Sequence, residues 1–275
     1  MWQIRYFLKK TIKRCIYLLS GRPWSLGYFE YKFNFIIQSI KTGTFHQYLQ
    51  EGLPIKFGYR LDERVVEYPW VYHHLPNDPG ILLDAGSTLN FPEILELEKL
   101  KKSKIVIVNL NKEGFCHQRT QNPVSYVYDD LRQSCLRDAY FDTITCISTL
   151  EHVGMDNTIH YTHDLSKRES NSDDYLKVML EFKRVLKPGG SVLITVPFGK
   201  GSFGWLQLFN AKMIESLIAT FQPSHHTMTF FRYDGKQWTI SDAKHCQDSG
   251  FNNSQSTGKF DIVSSESVCC ILLRN

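Results

Sequence analysis

A glutamate and a histidine in succession, Glu151-His152, stand at the end of an apolar run, Phe141-Asp-Thr-Ile-Thr-Cys-Ile-Ser-Thr-Leu-Glu-His-Val153. Imidazole titrates near neutrality, so a histidine placed against an alcohol is suited to take its proton. The same pair also suits a plainer task, capping a strand and shaping a pocket. Earlier in the chain, Leu83-Asp84-Ala85-Gly86-Ser87-Thr88 follows a shorter apolar run. A glycine at such a corner lets the backbone pass close to a ligand. A dinucleotide turn would need G-x-G-x-x-G, whose bare amides cradle a pyrophosphate. After Gly86 the next glycine is Gly114. The carboxylate of Asp84 would repel a pyrophosphate and suits a cationic ligand, an ammonium group for instance. Taken alone, a D-x-G turn is equally an ordinary strand end.

For these groups to meet, two strand ends must reach the same edge of one sheet. Ile81–Asp84, Lys104–Asn109, Val124–Tyr128, Phe141–Ser148 and Ser191–Val196 read as short buried strands, with Thr227–Tyr233 and Val268–Leu273 closing the set. Between them, Phe91–Lys101, Asp173–Lys187 and Asn210–Phe221 carry helical spacing. Pro92 suits a first helical turn, and Pro188-Gly189-Gly190 stops the middle helix. This alternation predicts an α/β fold with a doubly wound, mostly parallel, seven-stranded sheet and right-handed crossovers. Ligands of such sheets bind beyond the carboxyl ends of the strands.

Three segments in this order resemble the class I S-adenosylmethionine-dependent methyltransferases. They are Asp84-Ala-Gly86, Phe141-Asp142 with Leu150-Glu-His152, and Arg184-Val-Leu-Lys-Pro-Gly-Gly190. The resemblance spans about residues 78–200 and continues more loosely to the C-terminus. It implies a Rossmann-like methyltransferase fold with S-adenosylmethionine as cofactor. On the cofactor side it implies Asp84, Gly86, Ser87, Asn109, Asp130 and Ser148, and on the catalytic side His152 and Glu151. Asp84 would serve the methionyl ammonium directly or through water, and Asp130, after Tyr128-Asp129, would sit beside the adenine amino group. The wording of the motifs is similar to a bacterial subgroup associated with surface polysaccharide or glycan assembly, which implies O-methylation of a sugar-containing acceptor.

The sequence departs from the family pattern at two places. Thr88 stands where a second glycine is usual, so either the backbone approaches the cofactor less freely or the hydroxyl takes part. Asn109 stands where an acid usually accepts from both ribose hydroxyls; a neutral bond there contributes about 1 kcal/mol net. Some relatives bind metal through Glu-x-x-Glu-His, but Ser148 occupies the first ligand position here. His160 and His163 would replace it only through a loop folding back, so no metal is expected. The polar segment from Met155 to Asp174 follows the fourth strand and reads as a lid, a recognition loop or a surface insertion. Phe198, Phe203, Trp205, Phe230, Phe231, Tyr233 and Trp238 supply candidate rings for stacking on a sugar, one or two of them at most. The pair His225-His226 reads as a strand start more than as ligands.

The chain of 275 residues is long enough for one sizeable α/β domain. Its net charge of +4 is uneven: six positive charges fall within residues 1–22, and the first acid is Glu30. The remainder is therefore slightly acidic, which argues against a nucleic acid partner. Ile4, Phe7, Leu8, Ile12, Cys15, Ile16 and Leu19 recur at helical spacing among those charges. The lysines and arginines break any secretory-signal core. Two readings remain: a helix packed on its own domain or on another subunit, and a basic amphipathic helix making peripheral contact with an anionic membrane through residues 1–20. The expected organisation is a basic amphipathic helix over 1–22, an aromatic-rich helical extension over 23–79 and the methyltransferase domain over 80–275. No run reaches the roughly 20 apolar residues of a membrane span. Seven cysteines, an odd number without a C-x-x-C pair, fit a reducing cytoplasm, with the inner membrane face as an alternative address. The competing functional reading is a catalytically weak or inactive scaffold of the same fold docked at a membrane.

Overall fold

The computed structural model describes residues 2–112, 124–252 and 264–275, without the side chains of 2–7, 159 and 160. Cys116 and the side chain of His160 lie outside the described residues. Four helices come first: α1 (Trp2–Ser20), α2 (Tyr28–Lys41), α3 (Phe45–Glu51) and α4 (Arg64–His74). Then follow β1 (Ile81–Ala85), α5 (Pro92–Leu95), β2 (Lys104–Asn109), β3 (Val124–Tyr128), β4 (Phe141–Ile147), α6 (Thr158–Tyr161), α7 (Tyr175–Val185) and β5 (Leu186–Pro197). The chain continues through α8 (Ala211–Phe221), β6 (His225–Tyr233), β7 (Trp238–Ser241), α9 (Ala243–Cys246) and β8 (Ser267–Arg274).

The strands form one sheet in the order β3-β2-β1-β4-β5-β8-β6-β7. The first five pair in parallel, and β8 runs antiparallel to both β5 and β6. The sheet has eight described strands where seven were expected. The addition is β7, four residues that turn back on β6 to form an antiparallel edge.

Side chains alternate across this sheet, and both alternating sets are buried, which is why its strands read as continuous apolar runs. Leu82, Ile105, Ile107, Leu193 and Cys270 pack on one face with α2, α4 and α5. Leu83, Val108, Ile144, Ile194 and Cys269 pack on the other with α7 and α8. α7 earns its place by an apolar stripe, Tyr175, Val178, Met179, Phe182 and Val185, all buried. α8 begins where Asn210 accepts a hydrogen bond from the Met213 amide, 3.1 Å away.

Two expectations change. The helix expected over 91–101 breaks after Leu95 and resumes as a 3-10 turn at Leu100–Lys102. The core also ignores the boundary expected at residue 80. Val65, Val66, Tyr68, Trp70 and Val71 of α4 belong to the same buried cluster as β1, β2, β5 and β8. α4 is one layer of the domain.

Candidate active site

β1, β2, β3 and β4 end side by side, as consecutive parallel strands must, and a cavity of about 510 Å³ opens beyond them. Gly86, Asn109, Asp130, Thr149 and His152 line its strand side. Tyr161, Thr162, Lys167, Arg168 and Glu169 line the opposite wall. The segment after β4 therefore lies over the strand ends.

Gly86 is in the positive-φ region at 105°, and a Cβ there would fall 2.1 Å from Thr149 Oγ1. Only glycine lets the β1 turn and the β4 turn touch at the floor of this cavity. Asp84 is fully buried and turned inward. Its carboxylate accepts from the Thr88 amide (3.2 Å), the Thr88 hydroxyl (3.1 Å) and the Leu89 amide (2.8 Å). The acid braces the β1 turn and is not among the residues that line the cavity. Thr88 spends its hydroxyl on that same carboxylate. Ser87 is buried in the left-handed region at φ 62° and does not line the cavity either.

Asn109, at the end of β2, is buried, and its side-chain oxygen accepts from the Leu110 amide at 2.9 Å. Asp130 is gripped by Arg132, whose Nη2 lies 2.7 Å from its Oδ2 and whose Nε lies 3.0 Å from both oxygens. Burial works against the charged form of Asp130, but the bonds from Arg132 outweigh it and hold the carboxyl below its ordinary range. The same guanidinium reaches Glu169 and Asp174, each at 2.7 Å. One arginine thus ties the end of β3 to the segment over the cavity.

His152 faces the cavity, and its Nδ1 lies 2.9 Å from the carbonyl oxygen of Trp205. A carbonyl only accepts, so Nδ1 carries the proton and Nε2 is the basic nitrogen. The imidazole stacks on the Trp205 indole at 5.3 Å and 18°. Glu151 points the other way. It is buried, its Oε1 lies 3.8 Å from His152 Nε2, and its Oε2 has no hydrogen-bond partner. Burial raises its carboxyl to about 8, with Arg64 opposing and Glu67 and Glu63 reinforcing the rise. Ser148 is buried and turned away from the cavity; its hydroxyl donates to Glu67 at 2.7 Å.

Glu67 and Arg132 did not stand out in the sequence. Glu67, in α4, is fully buried and also accepts from Thr195 Oγ1 (2.7 Å) and Arg64 Nη1 (2.7 Å). Its signal was an acid at core-facing spacing, Val66-Glu67 followed by Trp70. Among the described residues no cluster of three or more His, Cys, Asp or Glu suits a metal ion.

The model of a family described as "Methyltransferase domain" matches residues 83–194, the stretch that supplies this whole edge of the sheet. Over these residues the chain carries a methyltransferase domain. The cavity falls within the roughly 300–1,000 Å³ of small-molecule pockets. Gly86 leaves bare backbone at the floor, and Asn109 and Asp130 place polar groups at neighbouring strand ends. Solved structures similar to this methyltransferase include an S-adenosylmethionine-dependent methyltransferase from Archaeoglobus fulgidus (13% identity, 79% of this chain and 96% of that one, TM-score 0.49). Another is an S-adenosylmethionine-dependent methyltransferase from Methanosarcina mazei (13%, 75% and 97%, TM-score 0.42). A third is N-methyltransferase NodS from Bradyrhizobium japonicum in complex with S-adenosyl-L-homocysteine (12%, 72% and 79%, TM-score 0.40). Among curated proteins, none matches the chain.

Proposed function

We propose that this methyltransferase acts on a hydroxyl oxygen of a sugar or glycan-type acceptor. The bound donor supplies an electrophilic methyl on a sulfonium, whose leaving group departs neutral. The chain must then align the acceptor and accept its proton. His152 is the proposed base. The observation that carries this reading is the Trp205 carbonyl on Nδ1, which leaves Nε2 as the proton acceptor at the cavity. Glu151 is the proposed support: a buried carboxyl beside the ring that helps to fix its position.

On the donor side, Gly86 would admit the methionyl chain, Asn109 would accept from a ribose hydroxyl and Asp130 would sit by the adenine. Asp84, Ser87 and Ser148 would act one step back, by fixing the two turns. Asp84 ties down its own loop, and Ser148 joins β4 to Glu67.

The aromatic side chains next to His152 favour a sugar. Trp205 lies 5.8 Å from Phe251, and Phe251 lies 5.3 Å from the exposed Phe203, forming a shelf beside the imidazole. The C–H face of a pyranose packs on such rings while its hydroxyls stay in water. The other candidate rings Phe198, Phe231, Tyr233 and Trp238 are buried in the core, and Phe230 packs edge-on against Phe198.

The test is transfer of labelled methyl from S-adenosylmethionine onto a panel of mono- and oligosaccharides, alongside a panel of amines. Sugar O-methylation that His152→Ala nearly abolishes supports the proposal. Methylation of amines alone, or a variant as fast as the wild type, overturns it.

A further inference from the structure

α1 is turned the wrong way round for a helix that only packs on its own domain. Its side toward the protein carries Lys10, Lys13 and Tyr17. Lys10 pairs with Glu93, Lys13 donates to Glu30 at 2.7 Å, and Tyr17 packs edge-on against Tyr28 at 5.7 Å. The approach on this side is close: a Cβ on Gly27 would fall 1.8 Å from the Lys13 carbonyl oxygen.

Among the described side chains of α1, the aliphatic ones face water. Leu8, Ile12, Cys15, Ile16 and Leu19 fall within an arc of roughly 100° on a helix of about 3.6 residues per turn, opposite the side that meets α2. Leu8 is 60% exposed, Ile12 51% and Leu19 90%. The chain that follows adds Trp24, Leu26 and Phe29, all exposed. Such a run of large apolar side chains in water marks an interaction surface.

The charge around it selects the partner. Lys9 on the helix and Arg22 just after it are exposed, and the first acid of the chain, Glu30, is already bonded to Lys13. No described helix is long and apolar enough to cross a membrane. An apolar stripe with a basic rim, on a helix held flat against its domain, has the chemistry of a surface lying in the headgroup layer. Its apolar side enters the acyl boundary and its cations meet lipid phosphates.

We infer that the outward face of α1, extended by Trp24, Leu26 and Phe29, docks this methyltransferase on an anionic phospholipid surface. The inference stands apart from the choice of methyl acceptor.

Flotation of the full chain with vesicles tests it, using phosphatidylcholine alone and an equal mixture with phosphatidylglycerol. The expected result is capture by the mixed vesicles only, weakened by added salt. The triple variant Leu8→Ser, Ile12→Ser, Leu19→Ser should lose affinity roughly tenfold or more. All three side chains point to solvent, so circular dichroism and thermal melting should match the wild type. Lys9→Glu with Arg22→Glu should reduce capture by the mixed vesicles. Failure of the wild type to float with the mixed vesicles overturns the inference, as does equal capture by the neutral ones or binding that survives the triple variant. A concentration-dependent dimer dispersed by the triple variant also overturns it, and would assign the face to a second copy of this chain.

Discussion

Replacing Glu67 with alanine removes one acceptor from three donors at once: Ser148 Oγ, Thr195 Oγ1 and Arg64 Nη1, each at 2.7 Å. Both hydroxyls are buried and would be left without their partner, at about 1 kcal/mol each or somewhat more. The Arg64 side chain keeps a quarter of its surface in water, so its loss is partly offset by hydration. A hydrogen bond to a charged group contributes about 1.5–3 kcal/mol, and the lower end applies here. The total is about 3–5 kcal/mol, a large part of the roughly 5–15 kcal/mol that stabilises a domain. Equilibrium urea denaturation followed by tryptophan fluorescence reads this directly. Glu67→Gln keeps an acceptor oxygen for the hydroxyls and should lose about half as much. In the double variant with Arg64→Ala, the losses should sum to less than the two singles, because the second change removes a group already stranded. A loss under about 1 kcal/mol in Glu67→Ala, with an unchanged denaturant slope, would refute the view that this carboxylate welds α4 to the sheet.

Gly86→Ala should cost about 1–3 kcal/mol from the positive φ, add a clash with Thr149 and abolish binding of S-adenosylhomocysteine by calorimetry. Undiminished affinity would remove Gly86 from the site. His152→Ala should leave that affinity intact and lower turnover by about 10²–10⁴-fold. Glu151 should give stability a pH dependence. Its carboxyl lies at about 8 in the folded chain against an ordinary 4.5, so the folded state holds a proton that the unfolded state releases between those values. Its favourable contribution is present in full below the unfolded value and is lost as pH rises through about 8. Glu151→Gln should therefore be neutral near pH 5 and more stable than wild type near pH 9, by an amount on the order of a few kcal/mol. A variant that gains nothing at alkaline pH contradicts the burial argument.

The parallel half of the sheet was legible because each of its strands is an apolar run bounded by turn residues, and burial on both faces requires such runs. β7 was not: four residues, Trp238–Ser241, carry too little pattern, and their pairing to β6 depends on packing around Trp238. The site shows the same division. Gly86 and His152 could be placed at strand ends from the apolar runs before them, and both line the cavity. The direction of Asp84 was not legible, since the same D-x-G spacing serves a carboxylate facing a ligand and one that closes its own loop. Thr88, which replaces a second glycine, is one of the donors that turn it inward. Glu67 was hidden for a different reason: its partners lie 81 and 128 residues away.

The position of β8 bears on how this protein is made. It follows every other described strand, yet it separates β5 from β6 and holds both by antiparallel ladders. Until it leaves the ribosome, the β6–β7 hairpin has no neighbour on its inner side and β5 presents an open edge. α4, synthesised well before β8, packs in the same buried cluster as Cys270 and Leu272 of that strand. The nascent chain therefore carries uncovered apolar surface until β8 is made, which makes chaperone demand a property of the topology itself.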